Sequence, residues 1–347
     1  MPLSDGDTVR LTSPDTTPVF TVADSEWLAR ELFAVNATGK PLPSERDQNF
    51  ALTASDGQKF VLKIAKADEE QAVLELQNAV LKHLAARAPR LATPRLVPAK
   101  SGADIVTVMG EHGRTYFVRL ITWLDGELWV DVAPHSPALL VSLGTAVAEL
   151  DRALQDFSHP AMHRKLHWDL RRADVALEHL ALLPSAQQTL VRRFIAPWWD
   201  IKWHGLRHGL IHGDANDRNI LVKDNRVAGL IDFGDIVYTA IVCDPAIAMA
   251  YAMLDCPDPL AAGAAVLRGY HAGLALTAQE IEVIYALVTA RLCTSLCYAA
   301  YNARAKAGDE YQQVTAGPAE RLFQQLAALA PETPIQIFRK ACRGIAP

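Results

Sequence analysis

A carboxylate, a carboxamide and a second carboxylate stand close together in the middle of the chain. Asp214 follows His212 and Gly213, Asn219 comes five residues later, and Asp232 opens the run Asp232-Phe233-Gly234. Phosphoryl transfer from a nucleotide needs a base near the attacking hydroxyl and oxygen ligands that hold Mg²⁺ against the phosphates. These residue types suit that chemistry, although each of them alone is also common in turns.

The segment between Asn219 and Asp232 is predicted to form a β-hairpin, because two apolar runs flank the polar turn Lys223-Asp224-Asn225. A hairpin returns the chain to its starting end. We therefore expect Asn219 and Asp232 to lie side by side and to reach one Mg²⁺ through oxygen. Asp214 is expected close to the metal, where it can accept a proton.

The same residues carry a family resemblance. His212-Gly213-Asp214, Asn219 and Asp232-Phe233-Gly234 resemble the catalytic loop and metal motif of the aminoglycoside phosphotransferase and choline kinase superfamily. The resemblance implies that Asp214 is the catalytic base and that Asn219 and Asp232 bind Mg²⁺. It implies an α+β, bilobal protein-kinase-like fold, with a mainly β N-lobe and a mainly helical C-lobe. Gly213 stands where protein kinases usually carry an Arg coupled to a phosphorylated activation segment, so no such switch is implied.

The first third of the chain has the pattern of strands around one helix. Residues 50–54 and 59–65 flank the turn Ser55-Asp56-Gly57-Gln58 and predict a second hairpin. Short strands are predicted at 94–98, 105–109 and 116–124, and an amphipathic helix at 68–86.

Lys63 lies among apolar residues on a strand that looks central, where burying an unpaired ammonium is costly. The resemblance implies that this Lys holds the α- and β-phosphates of the nucleotide. An edge-strand Lys that points to solvent is the alternative. A Glu of the following helix should pair with Lys63, and Glu75 is the preferred candidate. An alignment on the end of the helix places Gln77 there instead, and Glu69 and Glu70 are also available.

Two segments are candidates for further nucleotide contacts. The polar run 44–50, which contains Asn49 and no glycine, precedes the first long strand, where a loop over the phosphates is expected. A plain surface loop is the alternative. Thr122, Trp123 and Leu124 end a strand at the expected hinge, whose backbone would meet the nucleotide base. For Trp123, core packing is the alternative.

The rest of the chain is predicted to be mainly helical, with helices at 137–154, 170–183, 185–195, 257–271, 278–306 and 318–329. Asp244 is predicted to cap a helix, which is a structural role. We expect an N-lobe over residues 1–123, of which 1–18 are loosely ordered, and a C-lobe over residues 124–347.

Further segments are similar to the hydroxylysine-kinase-like phosphotransferases: 44–50, Leu76-Gln77-Asn78, 167–171, and Tyr311 with Pro318. This resemblance implies that a hydroxylated amino acid or amino alcohol accepts the phosphoryl group, with ATP or GTP as donor. An aminoglycoside, homoserine or choline acceptor is the first alternative. A nucleotide-binding pseudoenzyme is the second.

The acceptor site is expected beyond Asp214. An ammonium group would bind carboxylates or aromatic rings, and a carboxylate would bind Arg. The candidates are Asp217, Asp235, Tyr238, Trp168, Arg171 and Arg172.

Composition narrows the class of protein. With 34 Lys and Arg against 39 Asp and Glu the net charge is −5, and no basic run of the nucleic-acid-binding type occurs. No run of about eighteen apolar residues predicts a membrane span, and the N-terminus lacks the pattern of a signal peptide. Five scattered cysteines are expected to be buried free thiols of a cytoplasmic protein. The expected partner is a small molecule with a hydroxyl and an amine, and the sequence leaves the oligomeric state open.

Overall fold

The computed structural model of the chain describes residues 17–44, 47–110, 113–305 and 316–343. They divide into two compact units, one within Met1–Asp125 plus Ser158–Met162 and one within Gly126–Phe157 plus His163–Pro347. The first sixteen residues of the expected loose start, two residues of the predicted phosphate loop (Glu45 and Arg46) and Tyr311 lie outside the described residues.

The first unit is built on an antiparallel sheet with the strand order β1-β2-β3-β6-β4, in which β5 pairs with β6. Its elements are α1 Val22–Phe33, β1 Ala37–Leu42, β2 Gln48–Ala54, β3 Lys59–Ile64, α2 Gln71–Arg87, β4 Leu96–Val97, β5 Val106–Met109 and β6 Thr115–Thr122. The predicted hairpin is confirmed as β2 and β3. Sequence reasoning missed β1, because Pro41 and Pro43 resemble a break; β1 is an edge strand, where proline is tolerated.

One face of this sheet forms the core of the unit. Phe50, Leu62 and Leu120 stand in register on β2, β3 and β6 and are at most 1 % exposed. They pack in a cluster with Leu28 and Phe33 of α1. Since side chains alternate between the faces of a strand, the residue after Leu62, which is Lys63, points to the opposite face.

The second unit is mainly helical. Its helices are α3 Pro137–Ala153, α4 Ala173–Ala176, α5 Ser185–Ile195, α6 Cys243–Ala252, α7 Pro259–Gly273, α8 Ala278–Ala305, α9 Ala316–Ala327 and α10 Thr333–Cys342. The helix predicted at 170–183 is instead a single α turn between 3₁₀ turns. It ends at Leu183, which is extended because Pro184 follows.

Helix α8 is the central helix of this unit and packs against α5, α6 and α10. By length and composition alone its segment 278–304 could cross a membrane, but 83 % of the apolar window is buried inside the fold. All five cysteines are free thiols, and four of them are buried.

Two small antiparallel sheets carry the residues with candidate chemistry. One has the order β10-β9-β7 and the other pairs β11 with β8. Their strands are β7 Glu127–Leu128, β8 His208–Ile211, β9 Ile220–Lys223, β10 Arg226–Leu230 and β11 Val237–Ala240. His212-Gly213-Asp214 therefore follows the last residue of β8, Asn219 precedes the first residue of β9, and Asp232 lies two residues after the end of β10.

Candidate active site

The predicted hairpin is present as β9 and β10. Asp224 and Asn225 link the strands with φ angles of 51° and 57°, which is the two-residue turn with positive φ at both positions that matches strand twist. At the open end of the hairpin the backbone N–H of Ile231 donates to the carbonyl of Asn219 at 2.9 Å. Asn219 therefore lies beside the residue that precedes Asp232, as the sequence predicted.

Asp214 is held on both of its carboxylate oxygens. Its Oδ2 accepts from Nδ2 of Asn216 at 2.9 Å and from Nδ2 of Asn219 at 2.8 Å. Its Oδ1 accepts from Nη2 of Arg291 at 2.5 Å. These bonds fix the orientation of the carboxylate before any substrate binds, which is how a proton acceptor is preorganised.

Burial raises the pKa of Asp214 to about 7, and the nearby carboxylates of Asp235 and Asp232 add to the increase. The guanidinium of Arg291 and the hydrogen bond from Asn216 act in the opposite direction. A base is most effective when its pKa lies near the working pH. The environment of Asp214 therefore suits a general base at neutral pH.

Arg291 of helix α8 is a site residue that sequence reasoning missed. Its side chain is 2 % exposed, and its Cζ lies 4.5 Å from the ring centre of Trp168 and 5.5 Å from that of Tyr251. Nε and Nη1 are buried without a hydrogen-bond partner among the described residues. The two aromatic faces stabilise this cation in part. No sequence motif includes Arg291. Only the fold, which brings it into contact with Asp214, distinguishes it from the other arginines of the chain.

The loop before Asp214 is anchored by Asp244, in the first turn of α6. The backbone N–H groups of His212 and Gly213 donate to its carboxylate at 3.1 and 2.9 Å. The predicted capping role of Asp244 is wrong: Val242 is the N-cap of α6. Its carboxylate instead accepts two backbone amides and so holds the loop that precedes Asp214.

His212 and Gly213 are both constrained by close neighbours. The fully buried ring of His212 accepts the N–H of Asp214 at Nδ1 (3.3 Å), and its Nε2 lies 3.1 Å from the carbonyl of Ile231. This pairing requires the hydrogen on Nε2. Gly213 has a φ of +76°, and a Cβ there would lie 2.5 Å from the carbonyl oxygen of Asp235. Only glycine fits this position, which explains why no Arg stands here.

Asn219 and Asp232 offer oxygen atoms that suit a hard cation. Nδ2 of Asn219 donates to the carbonyl and the carboxylate of Asp214, so Oδ1 is the atom left to act as a ligand. Asp232 is exposed, has a φ of 59°, and its Oδ1 accepts the N–H of Gly234 at 3.2 Å. Within the described residues no cluster of three or more His, Cys, Asp or Glu could hold a metal. A site with two protein ligands fits Mg²⁺ bound to a nucleotide, because phosphates and water complete its shell.

In the first unit, Lys63 lies on the inner strand β3, directly opposite Asn49 on β2 and Arg119 on β6. The alternative of an edge-strand Lys is therefore wrong. Asn49 belongs to β2 and not to a loop, and its Oδ1 is buried without a partner among the described residues. A carbonyl oxygen needs a hydrogen-bond donor, so this atom suits a hydroxyl or ammonium and not a phosphate oxygen.

Glu75 does not take the position predicted for it. It is exposed and accepts from Nε2 of Gln71 at 2.8 Å. The buried polar residues of α2 are Gln77 and Asn78, and both accept hydrogen bonds from Arg119. The rotation of the helix, which its amphipathic pattern left ambiguous, decides this outcome.

The three residues predicted for the hinge differ in their backbone pairing. The N–H of Thr122 donates to the carbonyl of Arg95 at 2.8 Å, and the N–H of Trp123 donates to the carbonyl of Lys59 at 3.0 Å. These two amides are used within the first unit. Of the three, Leu124 therefore stays the candidate for the predicted backbone contact with a nucleotide base.

The acceptor candidates fall into two groups. Asp217, Asp235 and Trp168 belong to the surroundings of Asp214: Trp168 stacks on Arg291, Asp235 raises the pKa of Asp214, and the charge of Arg291 acts on Asp217. The others lie elsewhere: Tyr238 packs on the rings of His163 and His208, and exposed Arg171 acts on Asp169.

Comparison with known proteins gives a family. The model of the phosphotransferase enzyme family matches residues 38–279. The hydroxylysine kinase of Mus musculus is 32 % identical over 340 residues, which cover 89 % of this chain and 90 % of that protein. The family prediction made from the catalytic motifs is confirmed.

Two solved structures show the same fold. An amicoumacin kinase, in complex with AMP-PNP, Ca²⁺ and Ami, has a TM-score of 0.69 at 16 % identity and covers 92 % of this chain and 97 % of its own. A microcompartment-associated aminopropanol kinase has a TM-score of 0.63 at 19 % identity and covers 94 % and 100 %. At such identities the likeness concerns the fold alone, and it confirms the predicted α+β kinase-like class.

Proposed function

Because the chain belongs to the phosphotransferase enzyme family, we propose that it transfers the γ-phosphoryl group of ATP or GTP to a hydroxyl of a small acceptor. The acceptor is a hydroxylated amino acid or amino alcohol similar to hydroxylysine. The similarity to a hydroxylysine kinase over about nine tenths of both chains supports this class of substrate. The observation that carries the chemistry is the carboxylate of Asp214, oriented by Asn216, Asn219 and Arg291.

Asp214 acts as the general base. It accepts the proton of the acceptor hydroxyl, whose oxygen forms a bond to the γ-phosphorus while the bond between this phosphorus and the bridging oxygen breaks. The products are a phosphate ester and a nucleoside diphosphate. Asn216 and Asn219 keep the accepting carboxylate in place, so orientation costs little during the reaction.

Asn219 and Asp232 would hold Mg²⁺, which would neutralise charge on the phosphates of the nucleotide. The hairpin of β9 and β10 keeps the two ligands adjacent through the bond between Ile231 and Asn219. Lys63 binds the α- and β-phosphates, and Leu124 contacts the base through its backbone. Asn49 contributes its orphaned carbonyl oxygen to a donor, such as a ribose hydroxyl or an ammonium.

An amine on the acceptor supplies a positive charge, and the surroundings of Asp214 are rich in carboxylates. Asp217 and Asp235 are the residues that would bind it, with Trp168 as an aromatic neighbour. Arg171 and Tyr238 are weaker candidates, because their contacts lie with other residues. We place the protein in the cytoplasm, since five free thiols suit a reducing compartment.

Other acceptors of the family remain the runner-up: an aminoglycoside, homoserine or choline. A nucleotide-binding pseudoenzyme is the alternative of a different class. A protein that only binds nucleotide has no need of an oriented base, and the three bonds to Asp214 favour a working enzyme.

The test is Mg²⁺-dependent nucleotide turnover, with ATP and GTP in parallel, against 5-hydroxylysine, homoserine, ethanolamine, choline and kanamycin. We expect 5-hydroxylysine to stimulate turnover most. Asp214→Asn should lower it by about 10²–10⁴-fold, the usual contribution of a general base. Asp224→Asn is the matched control, because Asp224 lies in the exposed hairpin turn. Nucleotide binding without turnover on any acceptor would favour the pseudoenzyme.

A further inference from the structure

A row of three polar residues crosses the sheet of the first unit. Asn49 on β2, Lys63 on β3 and Arg119 on β6 are paired in register across neighbouring antiparallel strands. Side chains that are directly opposite in this way lie on the same face of the sheet. Since the side chain of Arg119 reaches helix α2, Lys63 and Asn49 share the face that α2 covers.

Arg119 joins this face to the helix. Its side chain is buried, with 3 % of its surface exposed. Nη1 donates to Oδ1 of Asn78 at 2.8 Å and approaches the carbonyl of Leu74 at 3.5 Å, and Nη2 donates to Oε1 of Gln77 at 2.7 Å. Leu74, Gln77 and Asn78 are spaced i, i+3 and i+4 and so form one face of the helix. One planar guanidinium therefore holds one turn of α2 at several points.

Glu75, the residue expected to link α2 to the sheet, lies away from this face. It is exposed and pairs with Gln71 on its own helix. Position 75 is rotated by about 200° from position 77, at about 100° for each residue. Gln77 and Glu75 therefore cannot both face the sheet, and the bond from Arg119 shows that Gln77 does.

We propose that Arg119 is the positioning residue that holds helix α2 against the strand of Lys63, a task that was predicted for Glu75. This inference rests on the proposed function, because it concerns the role of Lys63 in binding nucleotide. Arg119 suits the task, since its planar fork donates in two fixed directions and remains charged at all working pH values. Gln77 and Asn78 are neutral, so they accept these bonds without attracting Lys63 away from the phosphates.

The experiment measures the Kd of a non-hydrolysable ATP analogue with Mg²⁺ by calorimetry, for the full-length protein and four variants. Arg119→Met should raise this Kd by roughly tenfold or more, the loss that corresponds to one hydrogen bond to a charged group. Arg119→Lys should recover part of the affinity, because it keeps the charge but not the fork. Glu75→Gln and Lys59→Met, both at exposed positions of the same unit, should stay within about twofold of wild type, well below the change expected for one lost bond.

A second readout separates positioning from general stability. For Arg119→Met, we expect the KM for nucleotide to rise while the KM for the acceptor stays unchanged, in assays run well below the melting temperature. If that variant does not fold, Gln77→Met removes one of the bonds and keeps Arg119 in place, and it should raise the Kd in the same direction.

An unchanged Kd in Arg119→Met, or an equal loss in Glu75→Gln, would overturn the proposal. A lower melting temperature with normal nucleotide affinity would overturn it too, because Arg119 would then be only structural. If the wild-type protein bound no nucleotide, the proposed function itself would fail, a result distinct from wild-type binding that Arg119→Met leaves intact.

Discussion

Gly213, which precedes the proposed base Asp214, allows a test with a matched control in the same chain. We predict that Gly213→Ala destabilises the protein and removes most turnover. Gly213 has a φ of +76°, and a Cβ at this position would lie 2.5 Å from the backbone carbonyl oxygen of Asp235. Gly57, in the turn between β2 and β3, has a φ of +86° and nothing within 4 Å of its Cβ position. Gly57→Ala therefore adds the backbone penalty without the clash.

The expected magnitudes follow from these two terms. A non-glycine residue in the left-handed region costs about 1–2 kcal/mol, and this should be the whole effect of Gly57→Ala. Relief of a contact with backbone requires the chain to shift, which costs a further ~1–3 kcal/mol. Gly213→Ala should therefore lower the free energy of unfolding by about 2–5 kcal/mol. Because Asp214 is the next residue, a displacement near 1 Å would cost about 10²-fold in kcat.

Urea unfolding gives the free energies, and turnover with the preferred acceptor gives kcat, both for wild type and the two variants. Gly57→Ala should keep full turnover. The reasoning is refuted if Gly213→Ala is no less stable than Gly57→Ala, or if it retains wild-type kcat. If the two variants were equally stable but Gly213→Ala lost turnover, the loop would relax at no cost in free energy, and the close contact with Asp235 would not constrain the fold.

Three other buried ionisable residues give predictions. Burial raises the pKa of Asp151 well above its usual value of 3.8, so the native state loses stability as the pH rises above that value. Asp151→Asn should therefore gain up to about 1.4 kcal/mol relative to wild type for each pH unit above it. For Glu280, burial raises the pKa but hydrogen bonds led by Arg207 lower it overall; Glu280→Gln should cost about 1–3 kcal/mol at pH 7 and less at pH 4. Arg291→Met leaves Asp214 without its cation and should cost about 3 kcal/mol.

Urea unfolding at pH 4 and pH 7 measures all three. Asp151→Asn as pH-sensitive as wild type would mean that Asp151 is ionised in the fold. A loss for Glu280→Gln that does not shrink at pH 4 would contradict its lowered pKa. For Arg291→Met, the matched control is Arg192→Met at an exposed position. An equal decrease in the free energy of unfolding for the two variants would show that the ion pair of Arg291 with Asp214 does not stabilise the fold.

The parts of the site that the sequence predicted are those set by local chemistry. Asp224 and Asn225 tolerate positive φ, so the residues of the turn predicted the hairpin between Asn219 and Asp232. The spacing of Asp214 from Asn219 and Asp232 matched the motif of the family. These features depend on residues a few positions apart, and the structure confirms the hairpin.

The features that the sequence did not predict depend on distant parts of the chain. Asp214 and Arg291 are 77 positions apart, and Asp244 is 31 positions from Gly213. No periodicity indicates which of many charged residues the fold will bring together. The error at Glu75 has a different origin. Both sides of α2 carry polar residues near that turn, so the pattern did not show which side faces the sheet.

The position of Arg291 has a consequence for fragments of the chain. The family model matches residues 38–279, and Arg291 comes afterwards, on the buried helix α8. A chain that stopped at residue 279 would carry every motif residue and lack the cation that contacts Asp214. During synthesis, Arg291 is added to the chain 77 residues after Asp214. Non-local contacts of this kind carry a loop-closure cost that slows folding, and the carboxylate of Asp214 has its full electrostatic surroundings only when α8 is packed into the second unit.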